Sequence, residues 1–123
     1  MTDIISGIGI DIEEISRFSQ KPFFENQEFY KKIFTEDEIS FCLSKSNPYP
    51  HFAVRFCAKE ATIKSLNTEK IMFNEIEVVE LKPGITGSIY NIKVLHNNQT
   101  TIIREKVLAY VKNEKITLFI DND

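Results

Sequence analysis

Residues 52–66 read FAVRFCAKEATIKSL, and the rest of the chain is arranged around this stretch. It contains neither Gly nor Pro and predicts a helix of roughly four turns. At about 100° per residue, Arg55, Lys59 and Thr62 fall on one polar stripe. Glu60 and Lys64 lie one turn apart on another face, flanked by Ala53, Phe56 and Cys57, while Val54, Ala58 and Ala61 make a flat side of small residues. A carboxylate and an ammonium are thus aimed into mostly apolar surroundings, where charge is costly unless paired or bound. Two readings stand at this point. One is an (i, i+4) salt bridge with Glu on the favourable N-terminal side, worth a few tenths of a kcal/mol. The other is a functional pair that meets a ligand.

Upstream, Ile4 to Ile12 (IISGIGIDI) alternates with a period of two. Ile4, Ile8, Ile10 and Ile12 share a face that reads as core. Ile5, Gly7, Gly9 and Asp11 share the other, where two glycines admit a close neighbour and a carboxylate ends the row. The GIG lacks the third glycine and following helix of a dinucleotide loop. Asp11 is either the N-cap of a helix that begins near Glu13 or a functional carboxylate. A short helix is expected from Glu13 to Phe18, carrying Arg17, and a second from Pro22 through Lys32. Thr35-Glu36-Asp37-Glu38 forms a capping box that opens a helix to about Lys45. Residues 46–50, SNPYP, read as the loop that delivers the chain into the long helix.

Downstream the pattern changes to strands: Phe73 to Leu81, Gly87 to Leu95, Thr100 to Val111 and Lys115 to Ile120. Turns are expected at Pro83-Gly84, at residues 96–99 and at residues 112–114. One strand, then helices, then a meander predicts a single α+β domain over residues 1–123. In it a mostly antiparallel sheet packs against a long central helix and shorter helices.

A formal charge of −3 gives no global attraction to nucleic acid or to an anionic membrane. No apolar run approaches the ~20 residues of a membrane span. The chain runs from Asp3 straight into a strand pattern, which predicts no signal peptide. Cys42 and Cys57 sit in apolar contexts without framework spacing, so buried thiols in a reducing, cytoplasmic setting are expected. His51 and His96 show no zinc-ligand spacing.

Asp11 and Glu60, each on a face turned from solvent, and a lysine one turn beyond the second form a pattern that resembles the 4′-phosphopantetheinyl transferase superfamily. The resemblance is to its short bacterial type, the holo-acyl-carrier-protein synthases. It is carried by Gly7-Ile8-Gly9-Ile10-Asp11-Ile12 with Arg17-Phe18, and by Arg55-Phe56-Cys57-Ala58-Lys59-Glu60-Ala61 with Lys64 behind. Phe34-Thr35 with Glu38 and Phe41 is similar to the family's intervening helix, so residues 4–66 are covered in order and spacing.

The resemblance implies a 4′-phosphopantetheinyl transferase-like fold and a reaction. Coenzyme A gives its phosphopantetheine arm to a serine of an acyl carrier protein, and adenosine 3′,5′-bisphosphate is released. It implies Mg²⁺ on Asp11 and Glu60, Lys64 at the pyrophosphate, Lys59 near the coenzyme's phosphates and Tyr110 at the coenzyme. It also implies an acidic carrier docking on basic residues, for which Arg17, Lys21, Lys31 and Lys32 are the candidates, a homotrimer with coenzyme between subunits, and a place in lipid metabolism such as fatty acid biosynthesis. Neither nucleic acid nor membrane is an expected partner.

Three places differ from the family's pattern. Asn67-Thr68-Glu69 replaces a Gly-Thr-Gly loop. Val107-Leu108-Ala109-Tyr110 keeps only the aromatic of a Ser-x-Ser-His/Tyr strand. Phe24 and Gln27 stand where basic residues are common. These differences favour an alternative, a relative of the same fold that binds coenzyme A or a carrier without transfer. The joint presence of Asp11, Glu60 and Lys64 favours transfer.

Overall fold

Strand β1 (Ile8–Glu14) leads into α1 (Ser16–Ser19), a 3₁₀ turn (Phe23–Glu25), α2 (Gln27–Ile33), α3 (Glu36–Leu43) and the long α4 (Tyr49–Ser65). A second 3₁₀ turn (Phe73–Glu75) then opens the meander β2 (Ile76–Pro83), β3 (Ser88–His96), β4 (Gln99–Lys112) and β5 (Lys115–Asp121). The structure, a computed structural model, describes residues 8–65, 71–83, 88–96, 99–112 and 115–121, with side-chain surroundings for residues 13–64, 71–79 and 92–94. The expected residues of the turns at Gly84, Asn97-Asn98 and Asn113-Glu114 lie outside the described set.

All pairings in the five-stranded sheet are antiparallel, in the order β1-β5-β4-β3-β2. The first strand thus lies beside the last, with Ile8 opposite Asp121 and Glu14 opposite Lys115. The expected α+β architecture is the one found.

Several element boundaries differ from expectation. β1 runs on to Glu14, and α1 starts only at Ser16 with Ile15 as N-cap and no side-chain cap bond. Asp11 is therefore a mid-strand residue and not a cap. The segment after Pro22 divides into a 3₁₀ turn and α2, because Asn26 takes a non-helical conformation between them. α4 begins at Tyr49, inside the expected loop. Pro50 is tolerated in the first turn, where its missing N–H has no partner to lose, and the Phe52 N–H already reaches Pro48 O at 3.0 Å. The strand expected from Phe73 starts at Ile76.

α4 packs against β1, β5, β2, α1 and α3. It buries Phe52, Ala53, Phe56, Cys57, Ala58 and Ala61. An aromatic layer covers its first half: Tyr30 and Phe34 lie 4.7 and 4.9 Å from the Phe52 ring, and Phe18 lies 5.6 Å from Phe56. Tyr30 keeps its hydroxyl bonded in this apolar setting by donating toward Lys21 O and Phe18 O, at 2.7 and 3.0 Å. The sheet adds Ile76, Val78, Ile92 and Val94 to the core, paired as Ile76↔Val94 and Val78↔Ile92.

Candidate active site

Position 11 lies in the middle of β1, opposite Leu118 of β5, and through Leu118 in the same row as Ala109 of β4. The Asp11 side chain is outside the described set, but its strand neighbour Glu13 is within it. Arg17 Nη1 donates to Glu13 Oε1 at 3.2 Å, and the same guanidinium lies 4.7 Å from the centroid of the Phe56 ring on α4. Positions 13 and 11 share a face of the strand, so position 11 belongs to the face that α4 covers, and the row of positions 8, 10 and 12, expected to face the core, belongs to the other. Glu60, half-buried, stands one turn beyond Phe56 on that helix. Two carboxylate positions are thus carried by two elements packed on each other. Oxygen donors of this kind, one or two in number, suit Mg²⁺, which fills its other positions with water and substrate oxygens. Among the described residues no group of three or more His, Cys, Asp or Glu comes together.

The polar stripe of α4 is where the structure corrects the sequence reading. Arg55, Lys59 and Thr62 are buried, with relative exposures of 2%, 0% and 0%. Lys64, expected on a sheltered face, is exposed. Lys59 does not lie toward solvent or an open site. Its ammonium donates to Glu38 Oε1 at 2.5 Å, to Ile33 O at 2.7 Å and to Phe73 O at 3.0 Å. An ammonium has three protons, and all are taken. The expectation that Lys59 meets the coenzyme's phosphates fails on that count. Burial pulls its pKa below the usual lysine range, and the Glu38 carboxylate opposes the shift.

Glu38 is the residue that sequence reasoning undervalued. As the third residue of α3 it closes the capping box: its Oε1 accepts from Thr35 N at 2.9 Å, and Thr35 Oγ1 accepts from Glu38 N at 3.2 Å. It also reaches the edge strand, where Oε2 accepts from Val78 N at 2.9 Å. Thr35 Oγ1 in turn donates to Glu77 Oε2 at 2.6 Å. One carboxylate therefore joins α3, α4 and β2. The capping box was visible in the sequence, but burial of its glutamate depends on Lys59, twenty-one residues away.

Of the other expected site residues, Arg17 and Lys21 are exposed, and Lys21 Nζ lies 4.3 Å from the Phe29 ring centroid. Lys31 and Lys32 are exposed at the end of α2. Tyr110 pairs with Thr117, which pairs with Ile12, one row along from Asp11. Adjacent rows alternate faces, so positions 11 and 110 belong to opposite faces of the sheet. The Asn67–Glu69 loop lies outside the described residues. Both cysteines are buried, as expected. No described helix is long and apolar enough to cross a membrane.

Comparison with known proteins gives the family. The family model described as the 4′-phosphopantetheinyl transferase superfamily matches residues 7–117. A protein of Thermodesulfovibrio yellowstonii named holo-[acyl-carrier-protein] synthase is 44% identical over 110 residues, covering 80% of this chain and 95% of the relative. A protein of the same name from Chlamydia trachomatis is 48% identical over 75 residues, covering 58% of this chain and 63% of its own length. Among solved structures, the holo-[acyl-carrier-protein] synthase of Neisseria meningitidis superposes with a TM-score of 0.64 at 21% identity, over 94% of this chain and 96% of that one. That of Plasmodium yoelii gives 0.65 at 20%, over 94% and 92%. At these identities the structural likeness speaks for the fold.

Proposed function

Because the chain belongs to the 4′-phosphopantetheinyl transferase superfamily, we propose that it works as a holo-[acyl-carrier-protein] synthase. Its substrates are coenzyme A and an apo acyl carrier protein. The carrier's serine oxygen bonds to the phosphorus that carries the pantetheine arm, the pyrophosphate P–O bond breaks, and adenosine 3′,5′-bisphosphate and a proton leave. Negative charge gathers on the phosphoryl oxygens and has to be neutralised. Asp11 and Glu60 are the residues that would hold Mg²⁺, which when bound supplies part of that neutralisation as a Lewis acid. Lys64, exposed near the end of α4, presents a point charge to the pyrophosphate.

The observation that carries this reading is the packing of β1, which bears position 11 in mid-strand, against α4, which bears half-buried Glu60. The opposite faces of positions 11 and 110 support a coenzyme site shared between subunits, and so a homotrimer. Exposed Arg17 and Lys21 supply a local basic contact for an acidic carrier despite the negative total charge. Two cysteines buried in the core agree with a cytoplasmic setting.

One assay tests the reading: the protein is incubated with apo carrier, coenzyme A and Mg²⁺, and the carrier's mass is followed. The carrier gains the phosphopantetheine arm, and Asp11→Ala and Glu60→Ala each abolish the gain. Reversing both charges, Arg17→Glu with Lys21→Glu, raises the KM for carrier and leaves that for coenzyme A alone. No mass gain on a carrier that a known synthase modifies would sink the proposal.

A further inference from the structure

We propose that Lys59 and Glu38 are positioning residues, whose buried ion pair fixes the rotation of α4 and so sets where Glu60 points. This rests on the transferase reading above.

The packing of α4 shows why such a device is needed. Beside the Phe52 and Phe56 rings, α4 buries the small side chains of Ala53, Cys57, Ala58 and Ala61, the last three of them in its second half. Small side chains make shallow ridges, which allow close approach but resist turning or sliding only weakly. Lys59 supplies what they lack. Its three acceptors come from three separate pieces of chain: Ile33 O at the end of α2, Glu38 on α3 and Phe73 O in the 3₁₀ turn before β2. Glu38 is itself held by Thr35 N and Val78 N. Directional bonds in a dry setting fix one arrangement, since any other strands a buried charge and two carbonyls.

Glu60 is the next residue along the helix. A turn of ~20° about the axis moves an atom ~6 Å from it by ~2 Å. Mg²⁺ demands near-ideal octahedral geometry, so a displacement of that size removes a ligand. The pair acts on the site without touching substrate.

Two measurements test this. The first uses the native protein, with reductive methylation of lysines followed by mass spectrometry. Lys59 is expected to stay unlabelled with and without coenzyme A, while Lys64 labels in its absence and is shielded in its presence. Ready labelling of Lys59 that coenzyme A suppresses would overturn the proposal in favour of a phosphate ligand. The second uses Lys59→Met and Glu38→Gln, with the folded fraction checked at assay temperature. Each is expected to weaken Mn²⁺ binding, read by electron paramagnetic resonance, at least tenfold. Each also raises the Mg²⁺ concentration for half-maximal transfer at least tenfold, while the KM for coenzyme A stays within twofold.

A rise in the KM for coenzyme A with unchanged metal dependence overturns the proposal. If native protein binds Mn²⁺ but modifies no carrier, only the functional reading fails, and the Mn²⁺ comparison still decides the positioning role. If it binds no Mn²⁺, the positioning role falls as well. If neither variant folds, the methylation pattern decides alone.

Discussion

The Cys42 thiol is sealed among α3 and α4, and burial pushes its pKa up to about 12, with Arg55 pulling the other way. Its ordinary value is 9.0. In the window from 9.0 to about 12 the unfolded chain releases the proton and the folded one keeps it. The contribution to stability is therefore whole below pH 9.0 and is lost as pH rises through that window. Burial moves the Tyr30 phenol in the same direction, adding to the alkaline loss. We expect urea unfolding of Cys42→Ala to lose less stability than wild type between pH 8 and pH 10, by up to ~1.4 kcal/mol per pH unit above the thiol's ordinary pKa. The cavity left by the missing sulfur costs the same at every pH and does not enter the difference. Identical pH slopes for the two proteins would mean that another group ionises. At this scale the sequence marked Cys42 as a buried thiol correctly. It misread Lys59, because nothing next to a lysine in sequence reveals three acceptors at residues 33, 38 and 73.

Among the elements, α3 shows how a local signal is reused by the fold. Its capping box was legible from Thr35 and Glu38 alone and is formed as expected. The same two side chains then make long-range bonds, Thr35 to Glu77 and Glu38 to Lys59 and Val78. Val78 lies on an edge strand, so the Glu38 carboxylate also covers an N–H that would otherwise be open to another chain. Thr35→Ala removes both the cap and the bond to Glu77. It is expected to lower the free energy of unfolding by ~1–2 kcal/mol, and Thr35→Ser to restore most of it. Denaturant titration reads this directly, and an alanine variant as stable as wild type would show that the cap contributes nothing here. α4 was legible as a helix because it lacks breakers, but its burial was not. A polar stripe that includes Arg55 and Lys59 predicts a solvated face on periodicity alone. The fold buries it because Glu38, Phe41 and the Phe73 turn close over it: Phe41 lies 4.3 Å from the Arg55 guanidinium carbon, ring centroid to atom.

For the molecule as a whole, the sheet carries the argument for assembly. β1 and β5 are neighbours, and the rows through Asp11 and Tyr110 fall on opposite faces of one sheet. The proposed coenzyme site takes position 11 from one chain and position 110 from another, as copies placed around a threefold axis allow. Sedimentation equilibrium is expected to give a mass three times the chain's 14.3 kDa at micromolar concentration, unchanged on dilution toward the working range of the assay. A monomer with full transferase activity would refute the shared site.

The sequence by itself determined what acts over a few residues. The periods of the strands and of α4, the Thr35–Glu38 cap and the two motifs around Asp11 and Glu60 were readable, and the last of these pointed to the family. Only the tertiary structure decided that the first strand runs on past Asp11 to Glu14, that the Lys59 stripe is sealed, and that the first strand pairs with the last. Those facts depend on partners far along the chain, from Lys59 and Glu38 to Ile8 and Asp121. Whether a charge is buried and which strand takes an edge are settled by what packs against them, and a local pattern of side chains does not contain that information.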